Sequence, residues 1–217
     1  MTNKEESIQE LTNALLTGKA EDARQSTYAA LARGNTNGEV LDALVEAANI
    51  VVDLHDVGEY DQAKLAATEN SISMSLQVLE DWLAKSQGRF GLKVTVGPVG
   101  LKAGALLAIV LSAVFRSVGF HSTSLTKTQT ALDLLRNSEE LGTNLAIPLL
   151  PSEGVERHLR DFTEELERGG FRSKFEVIPV APGLPEGLEM SLTVARNSEE
   201  AISKATQWAL RKQRSGT

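Results

Sequence analysis

The sequence predicts an α/β protein in two parts: an N-terminal four-helix bundle, then a flavodoxin-like or Rossmann-like, doubly wound parallel sheet of five strands. Before residue 91, apolar residues recur only at helical spacing, and the first proline is Pro98. After residue 91, strand-like runs alternate with helical segments, which is typical of βαβ units. The charge changes at the same place, since residues 1–90 hold 7 Lys and Arg against 15 Asp and Glu, and residues 91–217 hold 15 against 14. We therefore predict a helical domain at 1–90 and a sheet domain at 91–217.

Four amphipathic segments predict the bundle. Their apolar residues fall on one face of a helix in 6–16, 20–32, 39–54 and 62–86. Glycine and asparagine stand between the segments, where short turns belong. Short connections between helices of this length are typical of an antiparallel bundle.

The second domain divides into strands and helices that alternate along the chain. Predicted strands lie at 92–96, 120–125, 144–150, 175–180 and 190–194, and predicted helices lie at 103–118, 128–141, 152–168 and 198–212. In parallel sheets of this kind, ligands bind beyond the carboxyl ends of the strands. The loops at 97–104, 148–154 and 180–187 are therefore the candidate binding edge.

Composition excludes several classes of protein. The 217 residues include no cysteine, which excludes disulfide scaffolds, thiolate metal sites and cysteine nucleophiles. The longest apolar run, Leu101 to Phe115, contains Lys102 and is too short to span a bilayer, and the acidic start is not a secretory signal. The acidic first domain and the absence of a basic stripe argue against nucleic acid. We expect a cytoplasmic protein that binds neither a membrane nor nucleic acid.

One glycine-rich loop has a functional interpretation as an anion-binding site. Residues 97–104, Gly-Pro-Val-Gly-Leu-Lys-Ala-Gly, open a helix, where backbone N–H groups can hold an anion and Lys102 would suit a carboxylate or phosphate. The glycine spacing matches neither the dinucleotide-binding motif nor the P-loop. A tight strand-to-helix turn is the simpler interpretation.

The histidines predict no catalytic or metal site. His55 stands beside acidic residues at a helix end, which indicates surface polarity, and His121 begins a strand, which indicates a structural role. His158 is the only histidine near the predicted binding edge, and we interpret it as solvated. Because no nucleophile, acid–base pair or metal cluster is legible, we predict no catalytic residue, no metal ligand and no independent catalytic activity.

Short segments of the first domain, taken together with the order of the two domains, match a known pattern. The segment 30–41 is similar to a "helix, glycine, turn, helix" opening, and Val57-Gly-Glu-Tyr-Asp61 to a Val-Gly-Glu-aromatic segment. These features resemble the corrinoid proteins of cobalamin-dependent methyltransferase systems, which share B12-binding modules with cobalamin-dependent methionine synthase. The resemblance covers residues 6–212. It implies that the 1–90 domain is cap-like, with Leu65 beside the cofactor, and that 91–217 is of the B12-binding type.

The same resemblance implies that the cobalt-ligand residues are missing. In the family, the first strand ends in Gly-Asp-x-His-x-x-Gly, whose histidine is the lower cobalt ligand and whose aspartate orients that imidazole. Counting back from Gly119, which matches a glycine of the family, places Lys102 at the aspartate position and Gly104 at the histidine position. Glycine offers no ligand, so this pattern predicts loss of the lower-ligand site.

Two further motifs of the family are replaced. Its Ser-x-Leu motif becomes Pro148-Leu149-Leu150, and its Gly-Gly motif becomes Ala181-Pro182, followed by Gly183. In the family, that glycine pair lets the dimethylbenzimidazole tail of the cofactor pass close to the backbone. Side chains at these positions should obstruct the tail, so we do not expect binding in which a protein histidine displaces the cofactor's own base.

Several functions stay open. We expect a corrinoid-protein-like binding or regulatory protein with a degenerate site, whose partner is a methyltransferase subunit or a corrinoid protein. The alternatives are a cobalamin-binding methyl carrier and a binding module for another tetrapyrrole or a small anionic ligand. The cofactor is unknown, and cobalamin without a histidine ligand is a candidate. The predicted ligand-contacting residues are Leu65, Gly100, Lys102, Gly104, Pro148, Leu150, Ser152, Ala181, Pro182 and Gly183.

Overall fold

The computed structural model describes residues 3–185 and 191–215. The described residues form two compact units, divided between Ser86 and Gln87. Among these residues, no helix is both long and apolar enough to cross a membrane.

The first unit consists of the four predicted helices. They are α1 (Asn3–Leu16), α2 (Ala20–Ala32), α3 (Asn37–Asp56) and α4 (Gln62–Ser86). Leu11, Leu44 and Leu79 are fully buried, as the helical spacing of apolar residues predicts. Helix α3 starts where it does because Thr36 and Glu39 form a capping box: the Thr36 hydroxyl accepts from the Glu39 N–H at 3.1 Å, and the Glu39 carboxylate accepts from the Thr36 N–H at 2.6 Å.

The second unit is a parallel sheet with helices on both faces. Its strands are β1 (Lys93–Pro98), β2 (His121–Ser124), β3 (Leu145–Leu149) and β4 (Glu176–Val177), and its α-helices are α5 (Gly104–Val118), α6 (Ala131–Glu140), α7 (Val155–Arg168) and α8 (Ser198–Ser215). The strand order is β2-β1-β3-β4, and every pair is parallel. The predicted α/β class and doubly wound parallel sheet are confirmed.

The two faces of the sheet bury separate apolar clusters. Val96 and Ile147 pack on one face with Phe115 of α5 and Ala205 of α8. On the other face, Ala146 packs with residues of α6 and α7, including Leu134, Leu135 and Phe162. Because both faces are covered, the strands carry near-continuous apolar runs, as in Leu145–Leu149.

The prediction of a fifth strand at 190–194 is wrong: the sheet has four strands, and residues 191–194 form none. Residue 190 lies outside the described residues. Ala195 instead forms a single parallel bridge to Val180, in which the Ala195 N–H donates to the Pro179 carbonyl and the Ala181 N–H donates to the Ala195 carbonyl, both at 2.8 Å. The next bond of such a ladder would need an N–H on Pro179 donating to the carbonyl of Thr193. Proline has no N–H, so the ladder stops after one step.

Candidate functional site

The carboxyl ends of β1 and β3 meet at the centre of the sheet. The chain leaves β1 toward β2 on one side and returns to β3 on the other, so this is the topological switch point, where ligands bind in open α/β sheets. Backbone bonds hold the neighbouring loops together here: the Val99 N–H donates to the Leu149 carbonyl and the Leu150 N–H donates to the Val180 carbonyl, both at 2.9 Å. We call the loops that follow β1, β3 and β4 the carboxyl edge.

Gly104, the first residue of α5, is pressed against the end of β1. A Cβ placed on Gly104 would lie 2.4 Å from the Cβ of Pro98 and 3.1 Å from the Cβ of Leu101. Carbon atoms of packed side chains rest at about 3.5–4.0 Å, so any side chain at residue 104 requires the backbone to shift. The residue before it, Ala103, is buried as well.

Lys102 extends from the same loop toward solvent. It is exposed and forms no ion pair or hydrogen bond with the described residues. Its neighbour Leu101 points the other way and is buried in the cluster that contains Phe115. The loop therefore places one cation outside and an apolar anchor inside.

The ends of β3 and β4 fill the space beneath the edge with apolar side chains. Pro148, Leu150 and Ala181 are all buried, and Pro148 is paired with Gly97 one step before the end of the parallel ladder. Ser152, Pro182 and Gly183 are exposed above them. A Cβ placed on Gly183 would lie 3.9 Å from the carbonyl oxygen of Ser152, so the loops after β3 and β4 touch.

Two residues of the loop after β2 hold the β1 loop in place, and the sequence did not indicate them. The backbone of Gln129 donates to the Pro98 carbonyl at 3.1 Å and accepts from the Gly100 N–H at 3.2 Å. The Thr128 hydroxyl donates to the Leu101 carbonyl at 3.0 Å. These contacts join segments that are distant in sequence, so no local pattern could have revealed them. Both residues also line an open cavity of about 580 Å³, together with residues such as Lys127, Arg136 and Asn137.

His158 also reaches the carboxyl edge. It lies in the first turns of α7, and a Cβ placed on Gly100 would be 3.6 Å from its Cε1 atom. The predicted position near the binding edge is the only sequence signal for this residue. In the described parts of the chain, no three residues of the types that bind metals cluster together.

No protein-family model matches this chain, and no curated protein matches it significantly. The monomethylamine corrinoid protein of Methanosarcina barkeri is similar in structure, with a TM-score of 0.66 and 15% identity over 94% of this chain and 98% of that one. This chain has the fold of a corrinoid protein.

Two other solved structures are less similar to this corrinoid fold. One is a novel cobalamin-binding protein from Desulfitobacterium hafniense DCB-2, with a TM-score of 0.46 and 15% identity over 93% of this chain and 98% of that one. The other is the methanol:cobalamin methyltransferase complex MtaBC from Methanosarcina barkeri, with a TM-score of 0.45 and 13% identity over 94% of this chain and 80% of that one. At these identities the likeness concerns the fold.

On this corrinoid fold, nine of the ten predicted ligand-contacting residues lie at or beneath the carboxyl edge. They are Gly100, Lys102, Gly104, Pro148, Leu150, Ser152, Ala181, Pro182 and Gly183. The tenth, Leu65, lies in α4 of the first unit, where it is 4% exposed. The loop predicted at 180–187 is described as far as residue 185.

Proposed function

We propose that this chain is a binding or regulatory protein built on the corrinoid-protein fold, and that it does not hold cobalamin through a protein histidine in the family's manner. The observation that carries this proposal is the packing of Gly104 against Pro98, 2.4 Å from where a Cβ would be. Glycine supplies no metal ligand, and this backbone leaves no room for a ligand-bearing side chain at residue 104. A chain can keep the corrinoid-protein fold without the cobalt-ligand site, because core packing and site chemistry are separate constraints.

The position that would orient such a ligand supports the same conclusion. The resemblance implies an aspartate where this chain has Lys102, and a carboxylate is the usual partner that fixes the tautomer of a metal-bound imidazole. The ammonium of Lys102 is exposed and cannot accept a hydrogen bond from an imidazole N–H. The residues of the β1 loop therefore do not fit histidine-ligated cobalamin.

Packed side chains also occupy the positions at which the resemblance expects the nucleotide tail of cobalamin. Leu150 is 1% exposed and Ala181 is fully buried, and both belong to the packed cluster on one face of the sheet. Pro148 is buried within β3 and has no hydroxyl to hydrogen-bond a buried base. Because protein interiors are close-packed, a benzimidazole ring could enter here only by displacing these side chains.

The exposed residues of the carboxyl edge suit a partner protein or a small ligand. Lys102, Ser152 and Gly183 remain exposed there, a combination that suits a small anionic group such as a carboxylate or phosphate. The match to a corrinoid protein covers 94% of the chain. This coverage supports the other role, in which a methyltransferase subunit or a corrinoid protein recognises the surface of this protein.

The second candidate function is a methyl carrier that binds cobalamin without a protein ligand. The observation in its favour is the match to a corrinoid protein across both the helical unit and the sheet unit. In this case the cofactor would keep its own base on cobalt.

Titration with methylcobalamin and hydroxocobalamin separates the two candidates. Purified protein is dialysed to equilibrium against each cofactor, and absorbance reports whether the cofactor's base is bound to cobalt. We expect no retained cofactor and no base-off spectrum. Retention of about one cobalamin per chain in the base-on state would favour the methyl carrier, and a base-off spectrum would contradict the packing argument at Gly104.

The predicted partners need a separate measurement. A purified corrinoid protein and a purified methyltransferase subunit are each titrated against this chain by calorimetry, with a Lys102→Glu variant as the probe of the carboxyl edge. Saturable binding that the variant weakens supports the regulatory role at this edge. If neither protein binds, that role is excluded.

A further inference from the structure

An open groove of about 730 Å³ lies between α1 and α3 of the first unit. Glu39, Asp42 and Glu46 line it from α3, where their spacing of three and four residues places them on one face of the helix. Ile8 of α1, which is half-buried, and Ala43 of α3 contribute apolar surface to the same lining. The groove therefore combines an acidic wall with an apolar patch, and it has the form in which one face of another helix can dock.

The groove attracts cations. Four carboxylates line it against the single ammonium of Lys4, which gives the lining a net charge of −3. Asp42 and Glu46 are exposed and form no ion pair with the described residues. The whole domain has the same sign, because residues 1–90 hold 15 acidic against 7 basic residues. Such a field draws a basic surface toward the groove, and salt screens the attraction.

The end of α8, in the second unit, carries the opposite charge. Its last two turns contain three basic residues and no acidic one, a net charge of +3. Four residues of α8 are exposed and lie on one face of the helix, at the spacing i, i+3, i+4, i+7: Gln207, Leu210, Arg211 and Arg214. A single exposed leucine is ordinary on a protein surface. Leu210, however, is 42% exposed within a basic face, so this face offers an apolar contact flanked by cations.

The two surfaces complement each other, and both belong to the same chain. The lining positions of α3 and the exposed positions of α8 follow the same helical spacing, with acidic residues on the first surface and basic residues on the second. We propose that the end of α8 docks in the groove between α1 and α3 of a second copy of the chain. In this contact Leu210 covers Ile8 and Ala43. Arg211 pairs with Glu46.

The contact is reciprocal because each copy carries both surfaces. When one copy places its α8 in the groove of the other and receives the other α8 in return, the contact is made twice and the association closes as a two-fold dimer. Complementary charges fix the register of such a contact and speed the encounter. The contact lies outside the carboxyl edge, so it goes beyond the proposed function and does not depend on it.

Sedimentation velocity of the full-length chain, over a range of protein concentrations, measures the association. Runs at about 0.1 M and about 1 M salt test its electrostatic part, because the Debye length falls from about 10 Å to about 3 Å. The variants are Glu46→Lys in the groove and Arg211→Glu in α8. Asp53→Lys and Arg160→Glu are the matched controls, since each makes the same change of charge at an exposed residue of the same unit outside the contact. Circular dichroism confirms that each variant is folded.

We expect a dimer at about 0.1 M salt that dissociates at about 1 M. Glu46→Lys and Arg211→Glu should each raise the dissociation constant of the dimer by about 10-fold or more, because an exposed ion pair becomes a repulsion at both identical contacts. The controls should behave like the unaltered chain. An equimolar mixture of the two variants should regain tight association, because one contact then keeps both original residues and the other pairs the two reversed charges.

Several results would overturn the proposal. The first is a chain that stays monomeric at about 0.1 M salt, and the second is a dimer that neither variant weakens. If only one of Glu46→Lys and Arg211→Glu weakened the dimer, the groove and α8 would not be partners. If the mixture failed to regain tight association, direct pairing of the two residues would be excluded. None of these results bears on the cobalamin titration, which concerns the carboxyl edge, so the two proposals fail separately.

Discussion

Substitution of Gly104 by alanine tests the packing argument directly. Gly104 is the first residue of α5, where alanine has the better helix propensity and reduces the freedom of the unfolded chain. These two effects alone would stabilise the second unit by about 0.4–1 kcal/mol. The new methyl group, however, would lie 2.4 Å from the Cβ of Pro98, which must force the loop or the strand end to move. Overpacking of this kind costs about 1–3 kcal/mol, so we expect net destabilisation.

Gly38 provides a matched control. It lies in the first turn of α3, has no positive φ, and a Cβ placed on it would meet only the Thr36 hydroxyl oxygen at 3.8 Å, an ordinary contact. Gly38→Ala should therefore stabilise the first unit by about 0.4–1 kcal/mol. Both substitutions replace glycine by alanine in the first turn of a helix, and they are expected to change stability in opposite directions.

The assay is urea unfolding followed by tryptophan fluorescence. Trp82 lies in α4 and Trp208 in α8, so Trp82→Phe leaves a reporter for the second unit and Trp208→Phe leaves one for the first. The two units are measured separately because a chain of two units need not unfold in one step. A Gly104→Ala protein as stable as its parent, or more so, would refute the claim that residue 104 has no room for a side chain. Such a result would also remove the reason to exclude a histidine ligand at residue 104.

Three further predictions concern stability. Thr68→Val should stabilise the first unit by about 1–3 kcal/mol, because the fully buried Thr68 hydroxyl has no hydrogen-bond partner among the described residues. The control is Thr27→Val, because the Thr27 hydroxyl donates to the Ala23 carbonyl at 2.8 Å and its removal should give no gain in the same urea titration. Equal gains in stability for the two variants would contradict the explanation. Thr130→Ala should destabilise the second unit by about 1 kcal/mol, since Thr130 is the N-cap of α6; an unchanged urea midpoint would show that this cap is dispensable. Hydrogen bonds from the Thr36 backbone and hydroxyl lower the pKa of Glu39, so its carboxylate contributes stability above its ordinary pKa and loses it as the pH falls through the lowered value. Glu39→Gln, which keeps a capping amide, should therefore make unfolding in acid less pH-dependent, and identical pH profiles for the two proteins would exclude this linkage.

The helices were predictable because their signal is local. Each helix of the first unit buries residues at a period near 3.6, as Leu41, Leu44 and Ala48 of α3 illustrate. The parallel sheet follows from strand-like runs alternating with helices, and the order of strands places the binding edge by a general rule. The absence of a fifth strand at 191–194 was not predictable from those residues alone. That absence depends on Pro179 in a neighbouring segment, whose missing N–H stops the ladder at Ala195.

The candidate site was predictable in position and only partly in detail. The loops at the carboxyl edge follow from the strand order, and the residues Lys102 and Gly104 follow from a resemblance of motifs. The sequence could not show that Gly104 is closed by Pro98, because a glycine is equally compatible with an open loop. Nor could it show that Gln129, from a different βα loop, holds the β1 loop through two backbone bonds.

The packing around Gly104 bears on whether the β1 loop can carry a ligand side chain. Leu101 and Ala103 of the same loop are buried, so the loop belongs to the core of the second unit. A side chain at residue 104 would have to displace the end of β1, where Pro98 lies. Variants of residue 104 therefore test the proposed function at the position that carries it, and the cobalamin titration tests it independently.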